Sequence, residues 1–148
     1  MKHTILNKLN MFGAYALFAA CCLSAQPENS VVANVPFDFM VRTQHFAAGS
    51  YTMIVDIPKS AVLVRGAEDT VFSLSIGTTR ASHGDLRAKL IFNRYGDRYF
   101  LSEVWPAGRD DGRELLPCKA EQELARNGAK PEIVALLISP GRPHTPAH

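Results

Sequence analysis

The chain has 148 residues, 47% of them apolar, with 16 basic against 14 acidic side chains. Lys2 and Lys8 fall in an N-terminal segment that carries no acid, so the remainder from residue 26 onward holds 14 of each sign and is neutral. A neutral chain without clustered Lys and Arg offers no phosphate-binding surface, so no nucleic-acid partner is expected; the roughly 120 residues after that segment suffice for one domain with a core but not for two.

The opening MKHTILNKLNMFGAYALFAACCLSA joins a positive start to an apolar run from Met11 to Ala25 that ends in small residues. This is the pattern of a secretory signal over residues 1–25. The run falls short of the ~18 residues that a spanning helix needs. No transmembrane helix is therefore expected after processing, and the product is expected in the periplasm or outside the cell. Two processing routes compete. Cleavage after Ala25, in Leu23-Ser24-Ala25, releases a soluble chain; Phe18-Ala19-Ala20-Cys21 resembles a lipobox, and acylation at Cys21 gives an outer-membrane lipoprotein instead. On the soluble route Cys118 is the one cysteine left, so no intramolecular disulfide forms and stability rests on the core.

Beyond the signal, SVVANVPFDFM alternates Val31, Ala33, Val35, Phe37 and Phe39 with smaller or polar residues and reads as a strand, which Pro36 confines to an edge or a bulge. Tyr51 to Ile57 and AVLVRG, separated by Pro58-Lys59-Ser60, read as two arms of a hairpin. In VFSLSIGTTR, Phe72, Leu74 and Ile76 alternate with Ser73, Ser75 and Gly77, which predicts a half-buried strand with the serines on its wet face. LRAKLIFNRY and YFLSEVW flank Gly96-Asp97, a two-residue hairpin turn with glycine at its first central position.

The pattern then changes. Residues 117–127, PCKAEQELARN, predict a helix with proline in its first turn, a Lys119–Glu123 pair one turn apart and Gly128 as its stop. Its apolar stripe is narrow, Ala120 and Leu124 with Leu116 before them, so it should cover a sheet rather than build the core. EIVALLIS, residues 132–139, reads best as a strand buried on both faces, with a short buried helix as the alternative that periodicity leaves open. The expected fold is all-β: an antiparallel sandwich or small barrel of about seven strands over residues 26–139, one late surface helix at about 117–127 and a disordered tail over 140–148.

Little in the sequence specifies chemistry. Neither G-x-G-x-x-G nor a P-loop occurs, and no cofactor is expected. His45, His83, His144 and His148 lack ligand spacing, so no metal site is expected either. Ser50, Ser73, Ser75 and Ser102 lie outside any G-x-S-x-G motif. Asp110-Asp111 reads as a solvated turn. Cys118, placed at the second position of the helix, has three readings: a small half-buried residue, an interchain thiol that joins a dimer, or a reactive thiol favoured by the helix amides.

NRYGDRYFLSEVW, Asn93 to Trp105, holds the candidate surface. A Gly96-Asp97 loop sets Tyr95 against Arg98, Arg94 against Tyr99, Asn93 against Phe100 and Phe92 against Leu101, with arginines stacking on tyrosines toward the tip. Arg94, Tyr95, Arg98 and Tyr99 are thus the candidate binding residues.

VPFDFMV, AAGSYTM, NRYGDRYFLSEVW and GRELLPCKAEQELAR together resemble a group of short exported bacterial proteins of unknown function. The resemblance implies export and a compact single domain, and it carries no established activity, substrate or catalytic residue. The expected function is a non-enzymatic exported β domain that binds or assembles with a protein or envelope partner. The alternatives are a small hydrolase or thiol-dependent enzyme using Cys118 or a serine, and a lipoprotein scaffold acylated at Cys21.

Overall fold

The computed structural model describes residues 29–80 and 86–138. The signal segment with Cys21 and Ala25, His83 and the 140–148 tail lie outside these residues. The described part holds ten strands and one helix: β1 (Ser30–Val35), β2 (Phe39–Val41), β3 (Gln44–Phe46), β4 (Gly49–Asp56), β5 (Ala61–Arg65), β6 (Thr70–Arg80), β7 (Lys89–Tyr95), β8 (Arg98–Trp105), β9 (Asp111–Leu115), α1 (Lys119–Arg126) and β10 (Glu132–Leu137). The fold is all-β with one late helix, as expected, in a mixed and unclosed sheet whose two halves face each other.

The first half runs β1-β4-β5-β6, all antiparallel. β6 then continues into the second half, where β9, β8, β7 and β10 follow. The change of partner coincides with a register shift between Ser75 and Gly77, where the unpaired residue bends the strand. Between the halves lies one core, built from Val31, Val35, Met53, Val55, Val62 and Val64 on one side and Leu90, Phe92, Leu101, Val104 and Leu115 on the other.

Three of the ten strands, β2, β3 and β9, are not expected from the sequence as separate strands: β2 and β3 span only three residues each, and β9, DGREL, carries a single large apolar residue. β1 stops at Val35 because Pro36 cannot extend the ladder. The chain crosses at Phe37, whose ring stacks on Tyr99 at 3.9 Å and meets Phe92 edge-on at 5.0 Å. β2 then joins β8 through Met40 and Phe100, the parallel bridge that makes the sheet mixed.

The hairpin β7–β8 has the expected register from Tyr95↔Arg98 to Phe92↔Leu101. Gly96 adopts φ +66°, a conformation open to glycine, at the first turn position. Below Phe92 the register shifts, so that Ile91 faces Glu103 and Leu90 faces Val104. Unbroken extension of the hairpin register would set Ile91 against Ser102; the bulge at Ser102 instead turns Val104 into the core beside Leu90 and sets Glu103 opposite Ile91.

Two expectations about burial are overturned. β6 is turned over: Ser73 is 1% exposed while Phe72, Leu74 and Ile76 are 40%, 52% and 53% exposed. Alternation says which residues share a face, and neighbours decide which face goes in. Ser73 opposes Val62 and Val71 opposes Val64, both valines lying fully in the core, so the small hydroxyl goes in and the large side chains go out. β10 is likewise not buried on both faces. It is an edge strand whose Val134, Leu136 and Ile138 pack on the core while Ile133 and Leu137 face away.

The helix is tied to β7 by the bond from Asn93 to Glu121 and begins two residues later than expected, at Lys119, with Cys118 as its N-cap. Of the expected stripe, Ala120 and Leu124 are half-buried, but neither is the residue most deeply covered. That residue is Glu121, and Leu116 stands 47% exposed.

Candidate functional site

The outward face of β6 is the largest departure from the rule that big apolar side chains go inside. Phe72, Leu74 and Ile76 form a row with two-residue spacing. The row continues onto the chain before α1, because the Leu116 amide donates to the Leu74 carbonyl at 3.1 Å and brings the exposed Leu116 alongside. On the same strand, Arg42 Nη1 donates to the Phe72 carbonyl at 3.1 Å. Arg42 occupies the β2–β3 turn at φ +57°, a left-handed conformation that costs a non-glycine residue energy. Four apolar side chains and a cation therefore line one surface.

At its helical end this surface opens into a groove of about 400 Å³ lined by Arg42, Thr43, Leu116, Pro117, Cys118, Lys119 and Gln122. Gln122 Nε2 donates to the Pro117 carbonyl at 2.8 Å and closes the first turn. Cys118 is half-buried at the groove floor and free. It is not the second helical residue of the expectation. As N-cap it makes no side-chain capping bond. The rim charges, Arg42 and Lys119, are both positive.

Beside the groove, Ser73, Cys118 and Glu121 line a shallow, partly open crevice with Met40, Phe100 and Leu101, too narrow to hold a water. Ser73 Oγ is buried there without a hydrogen-bond partner among the described residues. Glu121, 5% exposed, accepts a 2.7 Å bond from Asn93 Nδ2. Burial pushes its carboxyl pKa up, and the Asn93 bond pulls partly back. Burial, with the Glu121 charge second, also raises the nearby Tyr95 phenol. Neither Ser73 nor Glu121 carried a recognisable signal: the serine sits in an ordinary alternating strand and the glutamate in an ordinary surface helix.

The four hairpin residues do come together at the tip, in a different arrangement from that expected. Arg94 lies over Tyr99 at 5.5 Å, as the register requires, and also reaches the Gly96 carbonyl at 2.7 Å and Glu132 at 3.3 Å. Arg98 lies over Phe100 at 5.3 Å rather than over Tyr95. With its guanidinium and ring bound to neighbours inside the chain, the Arg94–Tyr99 pair acts as structure.

The other candidates are held apart from the groove. His45 Nε2 is 3.7 Å from Asp38, both side chains being exposed. Asp111 is not a solvated turn residue. Arg109 grips it through Nε at 2.7 Å and Nη2 at 3.0 Å, and that pair holds the carboxyl pKa below its usual range. Among the described residues no cluster of His, Cys, Asp or Glu has the makings of a metal site, and no helix is long and apolar enough to cross a membrane.

No protein-family model, curated protein or solved structure matches this chain.

Proposed function

We propose that this protein is an exported, non-enzymatic β domain that works by binding, and that its binding face is the outward side of β6 with the groove beside α1. The observation that carries this reading is the inverted strand: Phe72, Leu74 and Ile76 stand in solvent while Ser73 occupies the core. Contiguous exposed apolar rows of this kind, rimmed by polar groups, mark docking surfaces on exported and cytoplasmic proteins alike.

Magnitudes say what the partner must supply. Each of the four side chains is about half exposed, so covering it contributes on the order of 1 kcal/mol, about 4 kcal/mol together. Association costs ~4–15 kcal/mol in lost freedom. Apolar contact alone therefore gives marginal binding, and the Arg42 and Lys119 rim must add to it. The partner chemistry that fits is an apolar protein segment flanked by carboxylates.

Photo-crosslinker placed at Leu74 in cells that express the chain tests the reading. A discrete adduct at Leu74 that disappears with Arg42→Glu supports it. Absence of any adduct, or an adduct equally strong from Asp97 on the far hairpin tip, contradicts it. Intact mass separates the processing routes within the reading, since a chain beginning unmodified at Gln26 carries no acyl anchor at Cys21.

A further inference from the structure

β10 is open along one edge. Among the described residues it pairs with β7 alone, in an unbroken antiparallel register from Glu132↔Arg94 to Leu137↔Lys89. The Ile138 amide donates to the Ala88 carbonyl at 2.9 Å, and this bond fixes the parity of the strand. Even-numbered residues turn their backbone groups to β7, while Ile133, Ala135 and Leu137 turn theirs to the open edge. The side chains of the same three residues face away from the core, Ile133 63% and Leu137 51% exposed. Edge strands are ordinarily blunted by a lysine, a proline or a bulge. Glu132–Leu137 contains neither a lysine nor a proline and no register shift, and its single charge, Glu132, is occupied by Arg94 at 3.3 Å.

We propose that two copies of the chain join antiparallel along β10, in the register that sets Ala135 against the partner's Ala135. Three conditions select that register. Odd-numbered residues must oppose odd-numbered ones, so that open backbone groups meet and the exposed side chains share a face. Centring on Ala135 then pairs all three: Ile133 meets the partner's Leu137, Leu137 meets the partner's Ile133, and each pair exchanges two backbone hydrogen bonds. Sliding one step toward the N-terminus brings in Pro131, which has no N–H to give. Charge agrees, because Glu132 then opposes Ile138 and no like charges meet. The methyl of Ala135 suits the two-fold axis, where side chains of both copies crowd together.

The contact is isologous and closes on itself, so it gives a dimer and not a fibre. One six-residue strand pair covers less area than a standard stable interface, so the dimer is reversible and follows concentration. It uses neither the β6 face nor Cys118. Its failure would leave the binding reading untouched, and the reverse also holds.

Sedimentation of the full chain carrying Cys118→Ser, across a concentration series, is the test. The expected result is a shift from one chain mass to two, with concentration-dependent hydrogen-exchange protection at the amides of Ile133, Ala135 and Leu137 and constant protection at Leu136. Ala135→Pro removes an outward N–H without touching the β7 ladder, and Leu137→Lys adds the missing edge charge. Both are expected to stay monomeric with an unchanged circular dichroism spectrum. Monomer at every concentration overturns the proposal, as does a dimer that survives both substitutions. Protection of the three amides that persists on dilution of a monomer also overturns it, because the chain's own residues would then cover the edge.

Discussion

Asn93 and Glu121 are joined by a 2.7 Å hydrogen bond from the amide Nδ2 to the carboxyl Oε1, and this bond fastens α1 to the outer face of β7. It is a side-chain link between a strand and a helix 28 residues apart in sequence. Burial disfavours the charge on Glu121, and the Asn93 bond offsets part of that cost.

The first prediction concerns pH. Burial raises the Glu121 pKa above its ordinary 4.5, so the folded state holds this proton more tightly than the unfolded state. Its contribution is fully present below 4.5 and is lost as pH rises through the raised folded value. Glu121→Gln, which keeps an oxygen for Asn93 and removes the charge, is expected to flatten that slope and to equal or exceed wild-type stability at neutral pH. Glu121→Ala leaves Asn93 without its acceptor and is expected to cost roughly 1–3 kcal/mol. Urea denaturation at a series of pH values checks both.

Asp111 is expected to behave with the opposite sign. The Arg109 fork lowers its pKa from the ordinary 3.8, so its contribution is present above 3.8 and disappears as pH falls through the lower folded value. In Asp111→Asn the acid limb of the stability curve should be shallower than in wild type. An unchanged acid limb would remove the fork from any role in stability.

β6 offers a paired test of orientation. Ser73→Ala deletes a buried hydroxyl that has no partner among the described residues and is expected to stabilise the chain, by up to about 1–3 kcal/mol. Leu74→Ser changes an exposed residue and is expected to stay within ~0.5 kcal/mol of wild type. The reverse ranking, with Leu74→Ser costing several times more, would mean that the strand has its leucine inside.

The fourth prediction rests on Gly112 and Trp105. A Cβ at Gly112 would fall inside the contact distance of the Trp105 ring. The indole has little room to retreat: Nε1 donates to Glu103 at 2.7 Å, and the Lys89 ammonium lies 4.5 Å from the ring centroid. Gly112→Ala is expected to destabilise by about 1–3 kcal/mol. Trp105 is the single tryptophan, so its own fluorescence reports the shifted unfolding midpoint.

How much of this was legible in the sequence divides along physical lines. Turn chemistry was readable because it is local. Gly96-Asp97 fixed the hairpin register from Tyr95↔Arg98 to Phe92↔Leu101, and Pro36 ended β1. The Ser102 bulge left no such mark, and past it the register is no longer the one the turn dictates. The orientation of β6 was hidden because alternation is symmetric to inversion; Val62 and Val64 on the neighbouring β5 decided it. β10 looked buried on both faces because its composition is almost wholly apolar, yet among the described residues it pairs with β7 alone and stands at the sheet's end, with Ile133 and Leu137 exposed. Glu121 was invisible for a related reason. A glutamate in an eight-residue surface helix signals solvent, and only the nearby Asn93 makes its burial tolerable.

The central claim is that the apolar face of β6 is turned outward for a partner. Its most direct measurement is the thiol-labelling rate of a Cys118→Ser chain carrying Leu74→Cys, compared between purified protein and intact cells, with Ser73→Cys as the buried control. The account predicts rapid labelling of position 74 in the purified chain, slow labelling of position 73, and marked slowing at position 74 in cells where the partner is present. Equal rates at position 74 in both settings, or faster labelling at 73 than at 74, would contradict it.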